Sequence, residues 1–153
     1  MRRMYVNKKP IGVNRLRNIY GDKEKSAMIV AKRKSAVANA IIKEGTGNVF
    51  INGKSLNSFN DKLFNRIASE PIELSDDLYK KYDIYITIRG GGQVARAQTI
   101  RSAIAKSLVK KEKSLRKKFL EYDRAMLVDD KRQTEAQKPY RSAARALKQT
   151  SYR

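Results

Sequence analysis

The sequence predicts one compact domain of mixed strands and helices, extended by basic segments at both ends. Three observations predict it. The run Tyr82-Asp83-Ile84-Tyr85-Ile86-Thr87-Ile88-Arg89 alternates β-branched residues, enters Gly90-Gly91-Gly92, and is followed by a helix-forming run. A second strand pattern lies in residues 27–42, where Ile29, Val37 and Ile41 recur near alternate positions. The formal charge is +20, from 35 Lys and Arg against 15 Asp and Glu in 153 residues, while a hydrophobic share of 41% still supplies one modest core.

Residues 1–25 read as an extended basic arm, with eight Lys and Arg against Asp22 and Glu24. Arg2, Arg3, Lys8, Lys9, Arg15 and Arg17 come with no acid up to residue 21, as in an organellar transit segment. The segment is poor in serine, and Pro10-Ile11-Gly12 interrupts any amphipathic helix. A polyanion-binding arm is therefore the preferred reading.

Residues 27–42 read as one strand, or one strand with a bulge, with Lys32-Arg33-Lys34 between two apolar stretches. Ala36, Ala38 and Ala40 leave one face low, which suits close approach of RNA, of a helix, or ordinary packing. Residues 43–47 form a turn, Asn48-Val49-Phe50-Ile51 a short strand, and Asn52-Gly53 a tight turn. Gly53-Lys54-Ser55 invites a phosphate-loop reading. It fails, because the first glycine of that motif would fall on Asn48 and Gly47 is one residue too far.

Residues 55–81 read as mostly helical, with Leu56, Phe59, Leu63, Phe64 and Ile67 on one apolar face and Pro71 ending or separating helices. Asp61, Glu70, Glu73, Asp76, Asp77 and Asp83 make this the acidic part of the chain. Adjacent carboxylates such as Asp76 and Asp77 do not converge on a helix, so a solvated surface turned from the polyanion is preferred to a catalytic or metal site. Ile84, Ile86 and Ile88 share one strand face. Beyond the glycines, a helix at 94–108 carries an apolar stripe of Ala97, Ile100, Ile104 and Leu108. A separate basic stripe holds Arg96, Lys106, Lys110, Lys113 and Lys117, and residues 112–122 continue helically. From 131 to 153, seven Lys and Arg face only Glu135, and Leu147, Tyr140 and Tyr152 are the large apolar or aromatic residues. Such a segment cannot bury enough surface to fold alone; it orders against a polyanion.

There is no Cys and no His. Disulfides, thiol nucleophiles, Cys/His zinc sites and imidazole acid–base chemistry are thereby excluded. No apolar run approaches the roughly 20 residues of a membrane span. A field of +20 needs a polyanion, and nucleic acid leads over an anionic membrane surface.

Several stretches together resemble the small-subunit ribosomal protein S-nine family, over roughly residues 26–153. Lys32-Arg33-Lys34-Ser35-Ala36-Val37-Ala38 resembles its opening strand, and Asn52-Gly53-Lys54-Ser55-Leu56 its Asn-Gly-x-x-Leu turn. Gly90-Gly91-Gly92 with Ala97, Ile100-Arg101 and Ile104 resembles its glycine run and helix. Asp123-Arg124-x-x-Leu127-Val128-x-Asp130-x-Arg132-x-x-Glu135 and the terminal Ser151-Tyr152-Arg153 resemble the version found in archaea and the eukaryotic cytoplasm. Thr150 stands where that version has lysine, and Tyr140 where glycine is common.

The resemblance implies an α+β fold: a small sandwich of a mostly antiparallel sheet packed by helices, with a left-handed βαβ crossover. It implies a globular RNA-binding domain at 26–122 and an extended tail at 123–153. It implies a cytoplasmic, ribosome-bound structural protein without enzymatic activity or cofactor. The partners would be small-subunit ribosomal RNA in the subunit head, neighbouring ribosomal proteins and peptidyl-site transfer RNA, with no membrane and no homo-oligomer. The expected contacts to ribosomal RNA are Lys32, Arg33, Lys34, Gly90, Gly91, Gly92, Arg96, Arg101, Lys106 and Lys110, then Lys131, Arg132, Lys138, Arg141 and Arg145 of the tail. Lys148, Tyr152 and Arg153 would reach transfer RNA. Two other classes compete: a nucleic-acid-binding architectural protein outside the ribosome, and a small nucleotide-binding enzyme that uses the glycine run.

Overall fold

The structure, a computed structural model, describes residues 28–146 and Ser151. The expected arm at 1–25, and with it Lys148, Tyr152 and Arg153, lies outside the described residues. Five strands form one sheet: β1 (Ile29–Arg33), β2 (Ala36–Glu44), β3 (Val49–Ile51), β4 (Lys54–Ser55) and β5 (Tyr82–Arg89). Their spatial order is β1-β2-β5-β3-β4. β1 with β2, β2 with β5, and β3 with β4 are antiparallel; β3 with β5 is parallel. The parallel pair needs a crossover. It is supplied by β4, a 3-10 turn at Leu56–Ser58, helix α1 (Lys62–Leu74) and a second 3-10 turn at Asp76–Lys81. Helix α2 (Gln93–Lys111), helix α3 (Leu115–Tyr122) and a last 3-10 turn at Arg124–Met126 complete the body. The fold is thus α+β, with a mostly antiparallel sheet packed by helices.

The first strand region is a hairpin rather than one long strand. Arg33 pairs with Ala36, which leaves Lys34-Ser35 as a two-residue loop. Lys34 takes φ 52°, a conformation that asparagine or glycine usually supplies. The alternation therefore ran through the turn without a recognisable turn residue to stop it. The second hairpin matches expectation, because Asn52 and Gly53 have φ 49° and 83° between Ile51 and Lys54. Asn52 does more than turn. Its side-chain amide donates to the Ile88 carbonyl at 3.2 Å and its oxygen accepts from the Ile88 N–H at 3.0 Å. The side chain thereby continues the β3–β5 ladder beyond the end of β3.

One sheet face is buried and the other is open. Along β2 the burial alternates, with Ala36, Ala38, Ala40 and Ile42 inside. Ile84, Ile86 and Ile88 of β5 lie on the same side, under α2. The low alanine face of β2 is covered by α2, which itself buries Ala97, Ala103 and Ala105. Small side chains on both surfaces let helix and sheet approach closely. Ile100, Ile104 and Leu108 are fully buried, and each such side chain contributes roughly 2 kcal/mol.

The helical readings hold in outline and shift in detail. α1 starts only at Lys62, because the Asp61 carboxylate accepts from the N–H groups of Leu63 and Phe64. Leu63 consequently turns outward and is 59% exposed, while Leu56 is buried from the 3-10 turn. Pro71 does not end α1; it sits inside the helix, buried, with three further helical residues. Its missing N–H costs one backbone bond, which the buried ring offsets. The expected continuous helix at 94–122 breaks at Glu112, whose backbone is extended at φ −120°. Lys113 and Lys117 therefore leave the line of Arg96 and Lys110.

Candidate nucleic-acid interface

The glycine run packs against the Lys34-Ser35 turn. Gly90 and Gly91 have φ 72° and 68°, in the left-handed region that glycine adopts freely. A Cβ on Gly90 would collide with the Ser35 carbonyl oxygen, and one on Gly91 would lie 2.7 Å from the Ala36 Cβ. Gly92 differs. Its backbone is extended, open space surrounds it, and it caps α2 without a side chain. Two motifs far apart in sequence, the basic triplet and the glycines, thus form one end of the molecule. Arg96, in the first turn of α2, donates from Nε to the Gly90 carbonyl at 2.9 Å. Its two terminal nitrogens have no partner among the described residues.

Several of the expected phosphate contacts are engaged within the chain. Arg101 has a side chain only 13% exposed, with Nε 2.5 Å from Glu70 Oε2 and Nη1 donating to Asp123 at 2.6 Å. Lys106, 18% exposed, donates to Asp129 Oδ1 at 2.7 Å and to the Val30 carbonyl at 3.2 Å. The Lys32 backbone N–H donates to the same Asp129 oxygen at 3.2 Å. Val30 and Lys32 lie on the outer edge of β1, so Lys106 and Asp129 cover edge groups that the sheet leaves unpaired. Asp130 accepts from Arg132 at 2.8 Å and lies 3.6 Å from Arg33. Arg145 pairs with Glu135 at 2.7 Å.

These contacts hold residues 123–130 on the body, together with fully buried Met126 and a bond from Ser102 to the Ala125 carbonyl at 3.1 Å. Burial pushes the Asp123 carboxyl up, but the Ala125 N–H and the Arg101 guanidinium outweigh it, so its pKa lies below the ordinary value. The Arg132 guanidinium, then the Arg132 N–H and the charge of Arg33, hold Asp130 well below the usual carboxylate range.

The cations left open are Lys34 at the turn, Lys32 on the open sheet face, Lys110 on α2, and Lys131 and Lys138 beyond the docked segment. Arg132 remains 85% exposed although it touches Asp130, and Arg141 is half-buried. Arg33, Lys34, Asp130, Arg132, Gln133 and Thr134 line a shallow hollow of about 300 Å³ beside the hairpin turn. Sequence reasoning passed over further exposed cations, Arg89 and Lys54 among them. Arg89 follows Ile88, so strand alternation alone puts it on the open face. Lys54, dismissed with the failed phosphate loop, stands in β4. Tyr140, where the resembling family commonly has glycine, has φ 59° and is fully exposed. A tyrosine here occupies a conformation that glycine takes without cost.

Comparison with known proteins places this geometry. The family model described as ribosomal protein S9/S16 matches residues 31–153. A protein named small ribosomal subunit protein uS9, from Picrophilus torridus, is 38% identical over 126 residues, covering 81% of this chain and 95% of that protein. A protein of the same name from Methanococcus maripaludis strain C7 is 39% identical over 128 residues, covering 81% of this chain and 96% of its own length. The glycine run seated on the hairpin turn and the docked segment at 123–130 both fall within the matched residues, and the chain belongs to the ribosomal protein S9/S16 family.

Proposed function

We propose that this protein is a structural component of the small ribosomal subunit, in the cytoplasm, and that it binds ribosomal RNA in the subunit head by charge and shape. The observation that carries this reading is the convergence at one end of the sheet. The Lys34 turn, the glycine run, Arg96 and the exit of the basic tail past Arg33 and Arg132 share one surface. Each of these groups suits a phosphate. The exposed cations Lys32, Lys34, Arg96, Lys110, Lys131, Arg132 and Lys138 are the phosphate contacts. Gly90 and Gly91 seat the end of β5 on the hairpin turn, and Gly92 leaves open space beside it. The tail beyond Arg145 carries Lys148, Tyr152 and Arg153 towards transfer RNA in the peptidyl site, as its composition and the family relationship suggest.

The test is affinity for ribosomal RNA as a function of salt. A log–log slope of about −0.7 to −0.9 per neutralised phosphate is expected. Binding without salt dependence would sink the reading. Equal affinity for duplex DNA, with no protein in sedimented small subunits, would favour an architectural role instead. Removal of residues 148–153 should leave folding and subunit entry intact and weaken transfer RNA retention. A truncated protein that fails to enter subunits would make the tail an assembly element.

A further inference from the structure

A cleft of about 500 Å³ opens where the parallel strands β3 and β5 end, between the start of α1 and the first turn of α2. Its wall is apolar and aromatic. Phe59 and Phe64 stack with ring centroids 5.2 Å apart, above Ile51 and Ile88. That wall is held in place: the Asn65 side-chain amide donates to the Phe59 carbonyl at 2.6 Å, and Asp61 caps the first turn of α1, which carries Phe64. The rim is polar and cationic, with Lys54, Asn60, Gln93 and Arg96. Lys54 has no ion-pair partner among the described residues, and Arg96 keeps its terminal nitrogens open. Asp61 is the acid of the cleft, and its Oδ1 is engaged by two N–H groups of α1.

We infer that this cleft receives one unpaired nucleotide of the bound RNA, its base against the Phe59–Phe64 wall and its phosphate on Arg96 and Lys54. The inference rests on the RNA-binding reading and adds a site to it. The chemistry favours a nucleotide over a protein side chain. An apolar side chain would fill the wall and leave two cations unsatisfied, whereas a nucleotide brings a flat apolar face and an anion on one short unit. Asn60 and Gln93 offer both donors and acceptors to a base edge. The volume lies within the ordinary range of ligand sites, about 300–1,000 Å³. The adjoining Gly92, which neither packing nor backbone geometry requires, leaves open space beside this rim.

The experiment uses the full-length chain and a short single-stranded RNA carrying 4-thiouridine, with photocrosslinks mapped by peptide. Crosslinks within residues 59–64 are expected. They should fall about tenfold in Phe59→Leu, since base–aromatic stacking is worth that much. They should also fall in Arg96→Gln, an exposed position whose replacement leaves the core untouched. Salt-dependent binding of the same RNA should persist in Phe59→Leu, with an unchanged slope. If binding stays salt-dependent but residues 59–64 never crosslink, the cleft is not a nucleotide site and the inference falls while the RNA-binding reading stands. If salt-dependent binding is itself absent, that reading fails first. Free 4-thiouridine monophosphate forms the second arm. Equal crosslinking by the free nucleotide would make the cleft a small-molecule site and overturn the RNA assignment.

Discussion

Gly91 and Ala36 lie so close that a Cβ on the glycine would sit 2.7 Å from the alanine's own. This contact, with the neighbouring approach of Gly90 to Ser35, welds the end of β5 to the β1–β2 hairpin. It fixes where Lys34 stands relative to Arg96.

The three glycines are therefore not equivalent. Gly90→Ala and Gly91→Ala each combine a left-handed backbone with a collision, and each should destabilise the protein by about 1–3 kcal/mol. Gly92→Ala should change stability by no more than about 0.5 kcal/mol. Denaturant unfolding of the three variants checks the order. Equal losses at all three positions would contradict it.

Arg101 separates structural charge from binding charge. Arg101→Leu leaves Glu70 and Asp123 without their cation, and a loss of about 3 kcal/mol is expected. Arg96→Gln should cost little stability but reduce the RNA salt slope by about one. Thermal unfolding and salt titration of both variants read the two effects. A reduced slope with unchanged stability in Arg101→Leu would make Arg101 a phosphate contact.

Lys106 and Asp129 close the outer edge of β1: Lys106 donates to the Val30 carbonyl, and Asp129 Oδ1 accepts from both the Lys32 N–H and Lys106. The pair is partly exposed, so a double-mutant cycle of Lys106→Met and Asp129→Asn should give a coupling of about 0.5–1 kcal/mol. Asp129→Ala should also raise hydrogen exchange at the Lys32 amide, which loses its acceptor. Unchanged exchange there would mean that the edge is protected by something else.

The docked segment at 123–130 should open in acid. Asp123 and Asp130 have folded pKa values below the ordinary carboxylate value of about 3.9. Their contribution is complete above that pH and is lost as pH falls through the folded values. As pH falls below about 4 the Ala125 amide signal, bonded to Asp123, should shift first, and the Arg132 amide, bonded to the more strongly depressed Asp130, only in stronger acid. An Arg132 signal that moves before or together with that of Ala125 would refute the assignment.

Much of this was legible in the amino-acid order. The isoleucine alternation of β5, the stripe of α2 and the Asn52-Gly53 turn are local patterns with periods of 2 and 3.6, and short-range sterics enforce them. The Lys34-Ser35 turn was not legible, because neither residue prefers a left-handed backbone; pairing between Ala31 and Ala38 imposes it. Pro71 misled for the same reason, since burial outweighs one missing hydrogen bond.

By itself the sequence determined the charge, the absence of Cys and His chemistry, the mixed α and β pattern and the family. The tertiary structure decided which cations are free. Arg33, Arg101 and Lys106 look like Lys34, Arg96 and Lys110 in a list of residues. Yet the first three meet carboxylates brought from Glu70 and residues 123–130, while the others meet none among the described residues. Charge is a property of the side chain, but availability depends on long-range contacts that no local pattern encodes.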